Sequence, residues 1–439
     1  MKHLSKLVWL FAVSLTIWSC KQDDDNGPDL TTFTTTEVSN VVTVSGSTQA
    51  DFKFEAAKKY LLSGFVYVEE GATLTIEPGT VILGDGSSLG TLIIKPGGRI
   101  IAEGTAQKPI VFTSSKPKGQ RKTGDWGGLV ILGKAPVNKP NAVVEGENLS
   151  TFGGSDAADN SGVLKYVRIE FAGIALETNR EINSLTMGGV GSGTVIDYVQ
   201  VSYAGDDAYE WFGGTVNAKH LISYRTLDDD FDTDNGYSGK VQYGVILRDP
   251  SLADQAGDSN GFESDNDADG TIATPQTSAN FANVSVFMAP GSVNGKYRSA
   301  MRIRRNSAVS AFNSIFVGGF LNGLELEGPS QANFTSGTSD YRGLVFADMA
   351  TKLKGVDATR FNDASRANST SMSESDLMLN ANYNTLSGKP SFLPQPGSPI
   401  LSGGTTLPTG FESTSYKGAF NTADWTEGWT NWDPNNTDY

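Results

Sequence analysis

In the string YVRIEFAG (166–173), Val167, Ile169 and Phe171 alternate with Arg168 and Glu170. A period of two is that of a β-strand with one face buried, because successive side chains point to opposite sides. The pattern recurs along the chain. YVQVSYAG (198–205) repeats its Tyr, Val, Ala and Gly at an offset of 32, and ISY (222–224) follows VSY (201–203) by 21. Earlier, ATLTIEPGTVI (72–82) and GTLIIKPGGRI (90–100) align without gaps at an offset of 18. Each unit is a short strand closed by Pro-Gly or Ala-Gly, where glycine supplies the positive φ of a corner. Offsets of 18 and 21 suit one coil of a parallel β-helix, and 32 suits a coil carrying the insertion ETNREINS. A β-sandwich also has many short strands, but repeated in-register motifs favour a solenoid. The expected fold is all-β: a right-handed parallel β-helix with capped ends. Equivalent positions then lie about 4.8 Å apart along the axis, which sets Glu77 over Lys95 as an outer charge pair.

Other segments lack this pattern. Lys2, His3 and Lys6 precede an apolar run, Leu7 to Ile17, that is too short to span a bilayer and reads as a signal peptide over 1–19. Residues 20–50 read as a flexible polar tether, 51–405 as the β-helix and 406–439 as a Trp-rich cap. DFKFEAAKKYLLSGFVYV (51–68) is expected to start the first coil and cover its open end, since solenoid ends need capping. Trp425, Trp429 and Trp432 fall at helical spacing, which favours a short helix burying indoles over the last coil ahead of a sugar-stacking platform.

The strings LTIEPGTVI, GDWGGLVILGKAPVN, YEWFGGTVNAKHL, DDDFDTDNGYSGKVQYG, GDSNGFESDND and WTEGWTNWDP resemble those of surface lipoproteins of Bacteroidota with a pectin-lyase-like right-handed β-helix. The resemblance covers nearly all of the chain after the tether and implies a fold and a location more than a reaction. The leader ends in IWSC, so Cys20, the sole cysteine, stands where such lipoproteins are lipidated. The acidic KQDDDN that follows is similar to their surface-export signal. The resemblance thus implies a lipid anchor in the outer membrane and display at the cell surface, the two or three acyl chains giving firm attachment.

Charge narrows the choice of partners. The net charge of −15 becomes −17 without the leader's two lysines, which argues against nucleic acid. The strings DDDFDTDNGYSG (228–239) and GDSNGFESDNDADG (257–270) together hold ten carboxylates. Neighbouring carboxylates about 4 Å apart repel by about 1 kcal/mol even in water, so something must offset them. DNDADG matches the opening of a calcium loop, although the twelfth position is Gln276 instead of a bidentate acid. A straight strand cannot wrap an ion whose oxygens lie at about 2.3–2.6 Å, so the chain must curl, as Gly236 and Gly270 allow. The expected calcium ligands are Asp228, Asp230, Asp232 and Asp234 with Glu263, Asp265, Asp267 and Asp269. The alternatives are solvated acidic loops, or ion pairs with Arg225, Lys240 and Arg248.

Enzymes on such folds are mostly polysaccharide lyases and hydrolases, and a lyase needs a basic proton abstractor beside calcium. Arg302 and Arg304 in MRIRRN are the candidates, against a simpler reading in which they pair outward with Glu325 or Glu327. His220, the one histidine beyond the leader, is expected to pack on a coil, and a catalytic triad would depend on it. GLVILGKA nearly matches a phosphate loop, but Ala135 replaces the hydroxyl and the middle is an apolar strand. Tyr209 and Trp211 in DDAYEWFGG are candidates for stacking on a sugar. Together these readings favour a calcium-binding surface module for a glycan or an outer-membrane protein, without catalysis; the alternative is a polysaccharide lyase or glycoside hydrolase.

Overall fold

The repeat unit is set by where the chain takes a left-handed corner. In the computed structural model, which describes residues 30–143, 150–177 and 180–439, the strand Asn217–Tyr224 shows it in miniature. His220, with φ of 52°, divides that strand into two halves. Each half pairs in parallel with Val195–Ser202 on one side and Lys240–Arg248 on the other. Arg225, with φ of 59°, then turns the chain toward Phe231–Asp234, which lies on a third face. Three faces per coil follow, here named first, second and third in that order.

Stacked coils form one 26-stranded sheet from Thr34–Val38 to Thr351–Lys354. Among the described residues its pairings are parallel except the first, where Thr34–Val38 runs antiparallel to Val41–Thr48 and closes that end. The protein is an all-β parallel β-helix. Side chains seldom tolerate positive φ, but here the corner residues stack. Tyr166 lies 4.5 Å from Tyr198, Tyr198 4.1 Å from His220 and His220 5.0 Å from Tyr243. His220 therefore packs on the coil, with Nδ1 2.7 Å from Asp197 Oδ1.

Alternation sorts the third face cleanly. Leu185, Tyr209, Phe231 and Phe262 occupy matching rungs and point inward. Their burial supplies the hydrophobic term that holds coil on coil, about 1.5–3 kcal/mol for each large apolar side chain. Tyr209 and Trp211 share the inward parity and are fully buried, so neither is available to stack on a sugar. The Tyr209 hydroxyl donates within the coil, with the carbonyls of Val199 at 2.8 Å and Ile222 at 2.9 Å as acceptors. Phe212, of opposite parity, points outward but is covered by Phe152.

Several expectations need correction. The segment read as tether already carries strands Thr34–Val38 and Val41–Thr48, because Val42 and Val44 of the latter reach the core. The strings at 72–82 and 90–100 share turn chemistry but sit on different faces. Thr73 lies beside Arg99 and Val81 beside Val111. Glu77 accordingly pairs with Lys53, not Lys95, which faces Glu69 at 3.6 Å. The offset of 32 is a true coil step, with Val167 beside Val199. The offset of 21 is short by one residue, since Val201 lies beside Ser223. A slip of one inverts a strand's faces; here it sends Ser223 inward, where it meets Asp230.

Coil strands end at Lys354, well short of 405. The last segment is a strap over the second face instead of a cap on the final coil. Tyr383 and Phe392 pack on Phe287, and Trp432 on Tyr224 at 5.0 Å. Gln200 exchanges hydrogen bonds with the Asn431 backbone, and the Tyr439 hydroxyl reaches Glu170. Trp429 stands edge-on to Tyr166 and Tyr198 at 5.9 Å, while Trp425 is half-buried. No helix forms at the tryptophans: outward apolar residues of the second face, such as Ile222, Val245 and Leu247, offer a long strip that turns can follow.

Candidate metal centre

On the third face the residues of outward parity form a column of charge. Thr186, Glu210, Asp232, Glu263, Arg302, Glu325 and Lys354 lie side by side on successive strands. Strands stand about 4.8 Å apart, so three carboxylates in sequence meet at close range before the first cation. A second column runs through the turn just before these strands. Asp207 Oδ1 accepts the Asp229 N–H at 2.8 Å, and Asp229 Oδ1 accepts the Asn260 N–H at 2.5 Å. Asn183 and Asn260 make the same kind of contact at either end, accepting from the Asp207 and Ser299 backbones. Each aspartate thus uses one oxygen to lock the turn and keeps the other for the groove.

The two columns bring three carboxylate groups together. Asp206, Asp207 and Asp228 form one; Asp207, Glu210 and Asp232 a second; Asp229, Asp232 and Glu263 a third, each with ligand atoms within 4.8 Å of one another. That spacing suits a hard cation, since oxygens at about 2.3–2.6 Å from calcium are at most about 5 Å apart. Asp232 Oδ1 is buried and makes no hydrogen bond, and the Thr186 hydroxyl, 1% exposed, also has none. An acceptor-only set with an orphaned carboxylate oxygen fits calcium by donor chemistry. Asp206, Asp207, Glu210, Asp228 and Asp232 line a groove of about 420 Å³. An adjoining hollow of about 400 Å³ continues past Glu263 to Arg302 and Arg304.

Electrostatics agree with this placement. Burial, and then Asp206 and Asp229, raise the Asp207 carboxyl well above the usual range. Burial and the charges of Asp228 and Glu263 do the same to Asp229. Burial, followed by Glu263 and Asp265, raises Asp232 in turn. Glu263 is raised by burial too, although Arg304 opposes the shift. Burial and mutual repulsion thus favour the protonated forms of these groups, and a divalent cation would favour the ionised ones.

The expected ligands divide. Asp228, Asp232 and Glu263 take part in the carboxylate groups, whereas Asp230, Asp234, Asp265, Asp267 and Asp269 do not. Asp230 points into the coil, where fully buried Arg248 meets it at 3.0 Å; burial still pushes it up to about 6. Of the three cations considered as counter-charges, Arg248 serves this string and Arg225 instead holds Asp249 at 2.5 Å. Asp234 lies farther along the strand, pushed up to about 7 by burial. Asp265 is held by Arg304 and Arg305 at 2.8 and 2.6 Å. The DNDADG turn closes on itself: Asp267 accepts from the Asp269 and Thr271 backbones, and Asp269 is exposed.

Reading the sequence missed Asp206, Asp207, Glu210 and Asp229. Their signal lay in alignment, because DDAYEWF (206–212) stacks on DDDFDTD (228–234) and then on the string containing Asn260 and Glu263. Arg302 is in contact with Glu327 at 2.8 Å and Glu263 at 3.2 Å, and Arg304 also pairs with Glu263. Glu325 would be raised by burial alone, yet Arg298, Lys354 and Ser299 hold it well below the usual carboxylate range.

A parallel β-helix with an acid-lined groove on one face is the class these observations define. The chain belongs to the family described as pectate-lyase like β-helix domain, whose model matches residues 46–430. No curated protein and no solved structure matches it. The leader and Cys20 lie outside the described residues.

Proposed function

We propose that this protein is a calcium-binding β-helix module that holds its ligand in the third-face groove without turning it over. The observation that carries the reading is the set of overlapping carboxylate groups around Asp232, whose Oδ1 is buried and without a partner. A cation there leaves coordination positions toward the groove, where hydroxyl or carboxylate oxygens of a glycan, or of an outer-membrane protein, complete the shell. With Tyr209 and Trp211 buried, recognition rests on oxygen ligands and charge instead of aromatic stacking. A lipid anchor at Cys20 in the outer membrane, displaying the module at the cell surface, belongs to the same proposal. The lyase alternative is weaker, because Arg302 and Arg304, its candidate bases, are both engaged by carboxylates.

Thermal unfolding in EDTA and in calcium, with metal analysis of the untreated protein, tests the reading. A saturable rise in melting temperature on adding calcium supports it, since a ligand at 100 times its Kd stabilises by about 2.7 kcal/mol. No shift and no bound metal sinks it.

A further inference from the structure

The solenoid begins on a strand with one open edge. Thr34–Val38 extends the second face one rung past the first coil, because Val41–Val44 beside it pairs in turn with Lys59–Leu62. The first face stops a rung earlier, at Phe52–Phe54. Among the described residues Thr34–Val38 has no strand on its far side, and it is exposed along its whole length. We propose that this edge joins a second copy of the chain, strand against strand, about a two-fold axis at Thr36.

Ladder parity sets which backbone groups are free. The Lys59 N–H donates to the Asn40 carbonyl at 3.1 Å, so Asn40, Val42 and Val44 bond toward Lys59–Leu62. Successive residues of a strand bond to opposite sides, which turns Val41 and Thr43 to their partners Val38 and Thr36. The N–H and C=O groups of Thr35 and Glu37 therefore point outward. A two-fold at Thr36 sets Thr35 opposite Glu37 of the second copy, so every outward donor meets an acceptor. An axis at Glu37 would oppose two carboxylates, and one at Thr35 would leave Val38 unpaired. Each copy spends its one open edge, so assembly closes at two. Edges that stay single are commonly blocked by lysine, proline, a bulge or an inward charge. Thr34–Val38 has neither lysine nor proline and runs in unbroken register with Val41–Ser45. Its one charge, Glu37, is held by Lys58 at 2.8 Å. The edge is also ordered in advance. Phe33 packs on Phe52 at 5.1 Å, the Gln49 N–H donates to the Thr31 carbonyl at 2.8 Å, and Asn40 Nδ2 donates to the Ala57 carbonyl at 2.8 Å. The other end of the sheet differs. Thr351–Lys354 carries Lys352 and Lys354, and Lys352 Nζ reaches the Thr370 carbonyl of the chain that follows.

Sedimentation equilibrium of the full chain from micromolar to near-millimolar concentration, with cysteine trapping, tests this. A reversible monomer–dimer equilibrium is expected. At a non-hydrogen-bonded antiparallel pair the Cα atoms lie about 4.5 Å apart, within the range of about 4.4–6.8 Å that a disulfide spans. Thr36→Cys should therefore cross-link to its own copy about tenfold more than Thr34→Cys on mild oxidation with diamide, because position 34 faces Val38 of the second copy. Both variants keep Cys20, so any linkage through it is common to the two. Thr35→Pro should abolish the dimer, and the cross-link when combined with Thr36→Cys. The N–H it removes serves no bond within the chain, so the thermal unfolding of the monomer should persist. A chain that stays monomeric, equal cross-linking at positions 34 and 36, or a dimer that survives Thr35→Pro overturns the proposal. None of these outcomes bears on the calcium reading.

Discussion

Replacing Asp232 with Asn should make the calcium-free protein more stable, the opposite of what losing a native side chain usually does. Glu210 and Glu263 flank Asp232 in register, about 4.8 Å away across the strands. A like-charge pair at about 4 Å costs about 1 kcal/mol in water and about 4 kcal/mol at an effective dielectric constant of 20. Partial protonation relieves some of this, so the expected gain in EDTA at pH 8 is about 1–4 kcal/mol. The sign with pH follows from the raised carboxyls. Below about pH 4 folded and unfolded chains are both protonated and the group contributes nothing. Above it the unfolded chain ionises first, the native state binds more protons, and stability falls as pH rises toward the raised value. Asp234, at about 7, shows that this window extends to neutral pH on the same strand. The gain from Asp232→Asn should therefore be small at pH 5 and larger at pH 8, and calcium should no longer raise the unfolding midpoint. Urea unfolding at both pH values, with EDTA and with calcium, reads all of this. A variant less stable than wild type in EDTA at pH 8, or one that still responds fully to calcium, would refute the reasoning.

Two further perturbations separate neighbouring roles. Asp230→Asn strands the fully buried Arg248 and should cost about 3–5 kcal/mol while the calcium-induced rise persists, again read by urea unfolding. Trp429→Ala, at a side chain 1% exposed between the strap and the tyrosine corner, should cost about 3–5 kcal/mol. Limited proteolysis should then cut the strap before the coils, and unchanged protection would show that the strap is held elsewhere.

Much of the fold was legible in residue order. Val167, Ile169 and Phe171 alternate with charged residues, and the match with 198–205 gave a true coil step because both strings keep the same parity and the same corner. A strand's period is a local property, enforced by backbone geometry alone. The acid-rich strings were likewise visible, as was the need for something to offset their repulsion. Which acid faces which way was not. Asp230 and Asp232 are two residues apart and of like chemistry, yet one turns into the core to Arg248 and the other faces the groove. Register decided this, since Phe231 aligns with Tyr209 and Phe262 inside the coil and carries Asp232 outward with Glu210 and Glu263. The same rule buried Tyr209 and Trp211. Register also set Glu77 against Lys53 and laid the tryptophans of 425–432 along the second face, through contacts between residues far apart in the chain. The sequence by itself determined the strands, the solenoid and the excess of acid. Only the tertiary structure decided which carboxylates share a groove, because that depends on stacking one coil on the next, and coils of unequal length conceal the alignment from anyone reading along the chain.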